Sequence, residues 1–106
     1  MNSSIVIALP KIDDAKKIRT ILNRHGFSVA AVCSTASTAL ASMSELDGGI
    51  LICGYKLTDR YYRDVLEDIP SYFEMLLLAS GRVIAEAPTS VLTVEMPDRK
   101  STRLNS

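Results

Sequence analysis

Five short runs of almost uninterrupted apolar residues, separated by segments of helical periodicity, constrain this chain more than anything else in it. The runs are Ser4–Leu9, Phe27–Cys33, Ile50–Cys53, Phe73–Ala79 and Val91–Val94. Apolar residues at both parities mark strands buried on both faces, the pattern of a parallel sheet rather than of a half-wet antiparallel one. The helical segments lie between consecutive strands, giving the order βαβαβαβ-β. Right-handed crossovers then place helices on both faces of the sheet. The expected fold class is therefore α/β, doubly wound, with a five-stranded parallel sheet. At 106 residues there is room for one such domain and one sheet.

The segments between the runs carry helix start and stop signals. Pro10 ends the first strand and can open a helix, with Asp13 and Asp14 where first-turn amides favour negative charge. Ile12, Ala15, Ile18, Ile21 and Leu22 recur at helical spacing, and Gly26 after His25 suits a left-handed C-terminal cap. Ser34 or Thr35 can cap a second helix that places Ala36, Ala39, Leu40 and Met43 on one face. Gly48-Gly49 turns into the third strand, which stops at Gly54. Thr58 or Asp59 can cap a third helix bearing Tyr62, Val65, Leu66 and Ile69, ended by Pro70. Ser80–Thr89 holds Gly81 and Pro88 and is compatible with a short helical turn around Val83–Ala85 or with a loop.

Twelve basic and twelve acidic side chains are spread through both halves, so no basic stripe marks a nucleic-acid surface. No apolar stretch is long enough to cross a bilayer, and the start lacks the features of a secretory leader, which points to the cytoplasm. Cys33 and Cys53 sit inside apolar runs, as buried free thiols of a reducing compartment do. The last nine residues break the pattern. After Pro97 only Leu104 is strongly apolar, and the string DRKSTRLNS is similar to a reading-frame translation of a common sequencing adapter. Residues 1–97 are therefore expected to form the domain and 98–106 to be an artefactual or disordered tail. The tail holds Arg99, Lys100 and Arg103 against Asp98, which leaves residues 1–97 with a net charge of −2.

In a doubly wound sheet the chemistry belongs at the carboxyl ends of the strands. Here these are Leu9-Pro10, Cys33-Ser34, Gly54-Tyr55, Ala79-Ser80 and Met96-Pro97, with no carboxylate cluster for a divalent cation. No glycine-rich phosphate loop follows the first strand, and no G-x-S-x-G turn exists. His25 falls at a helix end, where a surface role is the default. Cys53 before a loop and helix has the layout of a Cys-x₅-Arg phosphatase, but six residues rather than five separate it from Arg60. A flavin-binding reading fails on the first loop, Leu9-Pro10-Lys11-Ile12, which is not a phosphate cradle. No cofactor and no metal are expected.

The strings IVIALPKIDDAKKIRTIL, RHGFSVAAVCST, GGILICGYKL and FEMLLLAS make residues 4–97 resemble the receiver domains of two-component response regulators. Within these, the chain is similar to atypical receivers that precede an ANTAR RNA-binding module. The resemblance implies strand order 2-1-3-4-5 and a final helix that this chain stops short of. It also implies which positions would hold a phosphoacceptor pocket. The metal-binding acidic pair falls on Leu9 and Pro10, the phosphoacceptor on Gly54, the hydroxyl residue on Ala79 (with Ser80 as its substitute if the register slips by one) and the lysine on Met96.

None of these residues can attack, bind metal or neutralise a phosphoryl group, so the expectation is a non-enzymatic, pseudo-receiver domain. It would act through dimerisation or a partner protein in a regulator of transcription antitermination. RNA would be met only through a downstream domain, and no membrane would be involved. A stand-alone partner-binding scaffold is the alternative, with a Cys-dependent phosphatase behind it. Without a fifth helix, apolar strand surface beside the first helix should stay uncovered.

Overall fold

A computed structural model describes residues 4–87 and 91–95. The elements are β1 (Ser4–Ala8), α1 (Ile12–Arg24), β2 (Val29–Cys33), α2 (Ala36–Ser44), β3 (Gly49–Gly54), α3 (Tyr62–Asp68), β4 (Phe73–Ala79), α4 (Gly81–Ala85) and β5 (Leu92–Glu95). All strand pairs are parallel and the order is β2-β1-β3-β4-β5. The doubly wound sheet and its order are as the sequence and the resemblance imply.

The sheet has two unequal faces. On one, Val6, Ala8, Leu51, Cys53, Met75 and Leu77 pack under Ala36, Ala39 and Met43 of α2 and Tyr62 and Val65 of α3, with Val83 and Ile84 of α4 against the same cluster. Met43, Leu51, Val65 and Leu77 are completely buried, each side chain contributing about 1.5–3 kcal/mol relative to exposure. On the other face, Ile5, Ile7, Leu9 and Ile52 pack against Ala15, Ile18 and Leu22, all from α1. No second described helix shares that face. Leu76 and Leu78 of β4 are half-buried there, and their register neighbours on β5, Leu92 and Val94, stay 49% and 45% exposed.

Local details depart from the sequence reading at three places. Helix α1 begins at Ile12 after an N-cap at Lys11, so Pro10 lies before the helix rather than inside it. Its C-terminus is a Schellman motif: Gly26, at φ +88°, donates its N–H to the Asn23 carbonyl and Phe27 donates to the Leu22 carbonyl. Those bonds hold Phe27 out of the sheet, which is why β2 starts at Val29 and Phe27 is exposed. Helix α2 is capped by Thr35, whose hydroxyl accepts from the Thr38 N–H. Helix α3 has Tyr61 at its N-cap with no side-chain bond, so neither Thr58 nor Asp59 caps it. Residues 81–85 form a helix of little more than one turn. At the start of β3, Gly49 lies against Ser4 so closely that a β-carbon would strike the Ser4 backbone; only glycine lets the first rung between β1 and β3 form.

Candidate functional site

The carboxyl ends of β1 and β3 are adjacent, because β1 and β3 pair from Ser4↔Gly49 to Ala8↔Cys53. The chain leaves β1 toward β2 and leaves β3 toward β4, so this is the sheet's topological switch point, where ligands of open α/β sheets bind. Leu9 and Pro10 from one strand end and Gly54, Tyr55 and Lys56 from the other line a groove of about 540 Å³. Asp14, Lys17 and Ile18 of α1 and Leu78 of β4 complete it. Three of the five anticipated positions are thus brought together: Leu9, Pro10 and Gly54.

Their arrangement is apolar. Leu9 is buried, its N–H donating to the Cys33 carbonyl at 3.1 Å. A β-carbon on Gly54 would come within 3.0 Å of Leu9 Cδ2 and 3.5 Å of Pro10 Cδ, so a side chain at 54 would press Leu9 aside. Ala79 is buried in the cluster on the opposite sheet face and does not line the groove. Ser80, next to it, is the N-cap of α4 without a side-chain bond. Met96 lies outside the described residues. A receiver's Mg²⁺ would need carboxylate oxygens here. Asp14 supplies one at the groove's rim, on the helix rather than at the strand ends, with Lys17 beside it. Among the described residues no three His, Cys, Asp or Glu side chains are grouped to hold a metal. The residues present do not fit the ion.

The acidic residue of the following loop has a different task. Asp59 Oδ1 accepts the Ala36 N–H at 2.7 Å, and Oδ2 accepts the Ser37 N–H at 3.2 Å and the Ser37 hydroxyl at 3.3 Å. A carboxylate satisfying the free amides at a helix N-terminus is favoured in its charged form, and the Ala36 bond above all holds the Asp59 carboxyl below its ordinary range. Thr58 joins in, its hydroxyl donating to the Ser34 carbonyl at 3.1 Å. The loop after β3 is thereby tied to the loop after β2. This role was not legible in the sequence, where Asp59 stands 22 or 23 residues from its partners.

Cys53 is fully buried, and desolvation pushes its thiol up to about 12, so no thiolate nucleophile is available near neutral pH. Arg60 is held by Asp68 at 2.8 Å. A buried, protonated thiol and an arginine engaged by Asp68 lend no support to the cysteine–arginine anion nest of a phosphatase. Cys33 and Cys53 are both free and buried.

Beside the groove lies an aromatic cluster that sequence reasoning missed. The Tyr55 ring meets Tyr61 edge-on at 5.3 Å and lies 6.0 Å from Tyr62. Lys56 Nζ stands 5.2 Å from the centre of the Tyr61 ring. Tyr62 is buried, and its hydroxyl accepts from Arg63 Nε at 3.3 Å, while another Arg63 nitrogen donates to the Glu86 carbonyl at 3.1 Å. Tyr55 and Tyr61 remain 45% and 44% exposed. The available signal was three tyrosines within eight residues, Tyr55, Tyr61 and Tyr62, followed by Arg63.

Comparison with known proteins gives a consistent fold. No protein-family model and no curated protein sequence matches the chain. Among solved structures it is similar to the anti-anti-sigma factor PhyR from Bartonella quintana, with a TM-score of 0.75 and 16% identity over 92% of this chain and 42% of that one. A doubly substituted mutant of the same Bartonella protein gives 0.73 and 15%, over 92% and 43%. The receiver (REC) domain of the PhyR response regulator from Erythrobacter litoralis gives 0.64 and 15%, over 98% and 85%. The chain thus spans less than half of the Bartonella protein and most of the isolated Erythrobacter domain. The fold is that of a receiver domain.

Proposed function

We propose that this chain is a pseudo-receiver: a regulatory domain that keeps the receiver fold, has lost aspartyl phosphorylation and works by contact with other proteins. The observation that carries the proposal is the packing at the end of β3. Gly54 offers no nucleophile, and Leu9 packs so close that a side chain there would have to push it aside. Phosphoryl transfer requires an attacking oxygen and a cation to offset developing charge, and Leu9, Pro10 and Gly54 supply neither. The exposed pair Tyr55 and Tyr61, with Lys56 over one ring, favours an interacting role, since such side chains anchor protein interfaces.

The resemblance to receivers that precede ANTAR modules makes this domain the regulatory half of an antitermination protein in the cytoplasm, where it pairs with itself or a partner. RNA is bound by a module beyond residue 97, and the DRKSTRLNS tail is an artefact. Resequencing the source locus across the Pro97 codon tests that part. An open frame running into a basic, helical segment is the expected result; a stop after Ser106 would replace the antitermination reading with a stand-alone scaffold. The pocket itself is tested by adding Mg²⁺ and beryllofluoride, a mimic of the phosphoryl group, while following amide ¹H–¹⁵N shifts. No saturable shift is expected at Leu9, Gly54 or Tyr55. Saturable shifts centred there would refute the pseudo-receiver reading.

A further inference from the structure

Losing carboxylates leaves the switch-point groove with a composition of its own. Leu9, Pro10, Ile18, Leu78 and Tyr55 give it apolar walls, with Gly54 between Leu9 and Tyr55 in its lining. At about 540 Å³ it lies within the usual range for small-molecule sites, roughly 300–1,000 Å³. Two cations, Lys17 and Lys56, stand at the rim against one carboxylate, Asp14. Among the described residues neither lysine forms an ion pair with a carboxylate; the pair present is Arg60–Asp68. Lys56 lies near the Tyr61 ring, which leaves its charge available to an anion.

From this geometry we infer that the groove binds a small amphiphilic anion: an aliphatic or aromatic body against Leu9, Ile18, Leu78 and Tyr55, with a carboxylate or similar group between Lys17 and Lys56. The site lies where open α/β sheets place their ligands, between strand ends whose connections depart in opposite directions. A neutral ligand would leave the lysines unused, and a cation would meet them directly. An anion lacking an apolar body would leave the walls wet. The inference goes beyond the pseudo-receiver reading and stands or falls separately, because it needs only the groove and its rim.

Decanoate, decanol and decylamine are suitable probes, each titrated into the full chain below its micelle-forming concentration and followed by amide ¹H–¹⁵N shifts. Decanoate is expected to bind at least about tenfold more tightly than decylamine, with shifts centred on Gly54, Tyr55, Lys17 and Ile18. Shortening the acid to octanoate should weaken binding by about fourfold per methylene lost, the equivalent of roughly 0.8 kcal/mol each. The double variant Lys17→Glu/Lys56→Glu changes two exposed side chains. It should lose the preference for decanoate while keeping the amide spectrum of a folded domain. Equal binding of the three probes, an unchanged preference in the double variant, or shifts centred on Leu92 and Val94 of the uncovered sheet face would each overturn the inference.

Discussion

Leu9 Cδ2 lies 3.0 Å from the point where a β-carbon on Gly54 would stand. The two residues end neighbouring strands on the same sheet face, and each explains the other: the leucine fits because position 54 has no side chain. On the pseudo-receiver reading proposed above, an apolar residue after β1 and a glycine after β3 form one packing arrangement rather than two independent changes.

Gly54→Asp consequently restores a carboxylate only against Leu9 and Pro10. Overpacking and desolvation should destabilise the domain by about 1–3 kcal/mol, with Gly54→Ala at the lower end of that range or below it. Urea unfolding of the two variants beside wild type measures the order; a Gly54→Asp protein as stable as wild type would show that Leu9 swings away freely.

The acid limb of stability should carry the signature of Asp59. Its carboxyl sits below its ordinary range in the folded chain, so the stabilisation is present above the unfolded-state value and fades as pH falls through the folded one. Asp59→Ala is expected to cost about 0.5–1 kcal/mol at neutral pH, an exposed cap being partly screened. The difference from wild type should shrink steadily below about pH 4. Thermal melts of both proteins across that range decide it.

At the alkaline end the relevant group is Cys53. Burial raises its thiol to about 12, whereas the unfolded chain ionises near its ordinary value, so stability is lost as pH rises between the two. In the native protein both buried thiols should resist a soluble thiol reagent at about pH 8, and both should react once the chain is unfolded. Rapid labelling of the native protein would contradict the buried geometry.

Leu92 and Val94 are large, apolar and exposed on the edge strand, beside half-buried Leu76 and Leu78. Such an edge invites association. Leu92→Lys with Val94→Lys should raise the concentration at which the chain stays monomeric and change unfolding free energy by under about 1 kcal/mol. Light scattering against concentration reads the first quantity. A variant that aggregates as wild type does would place the sticky surface elsewhere.

Much of the fold was legible because the strands are short, apolar on both faces and punctuated by Pro10, Gly26, Gly48-Gly49, Gly54 and Pro70. Their spatial order was legible only through the resemblance to receivers, since periodicity says which segments are strands and not which pair. Phe27 read as strand because its apolarity fits one, yet its N–H is taken by the cap of α1. Asp59 read as a cap for the helix just ahead, the nearest acceptor in sequence, while in space the amides it satisfies belong to α2. Of the five positions that the resemblance implies, Leu9, Pro10 and Gly54 line the groove. That Leu9 packs against the β-carbon position of Gly54, and that Ala79 faces the other side of the sheet, are facts of packing that no spacing rule carries.

The central claim is that aspartyl phosphorylation is absent from this domain, and phosphotransfer tests it most directly. Wild type and Gly54→Asp would be incubated with acetyl phosphate and Mg²⁺ and weighed intact under non-acidic, then alkaline, conditions. Neither protein is expected to gain a phosphoryl group, because the variant still lacks a carboxylate pair at Leu9 and Pro10. An alkali-labile phosphoryl adduct on wild type would contradict the account and reveal an acceptor other than Gly54.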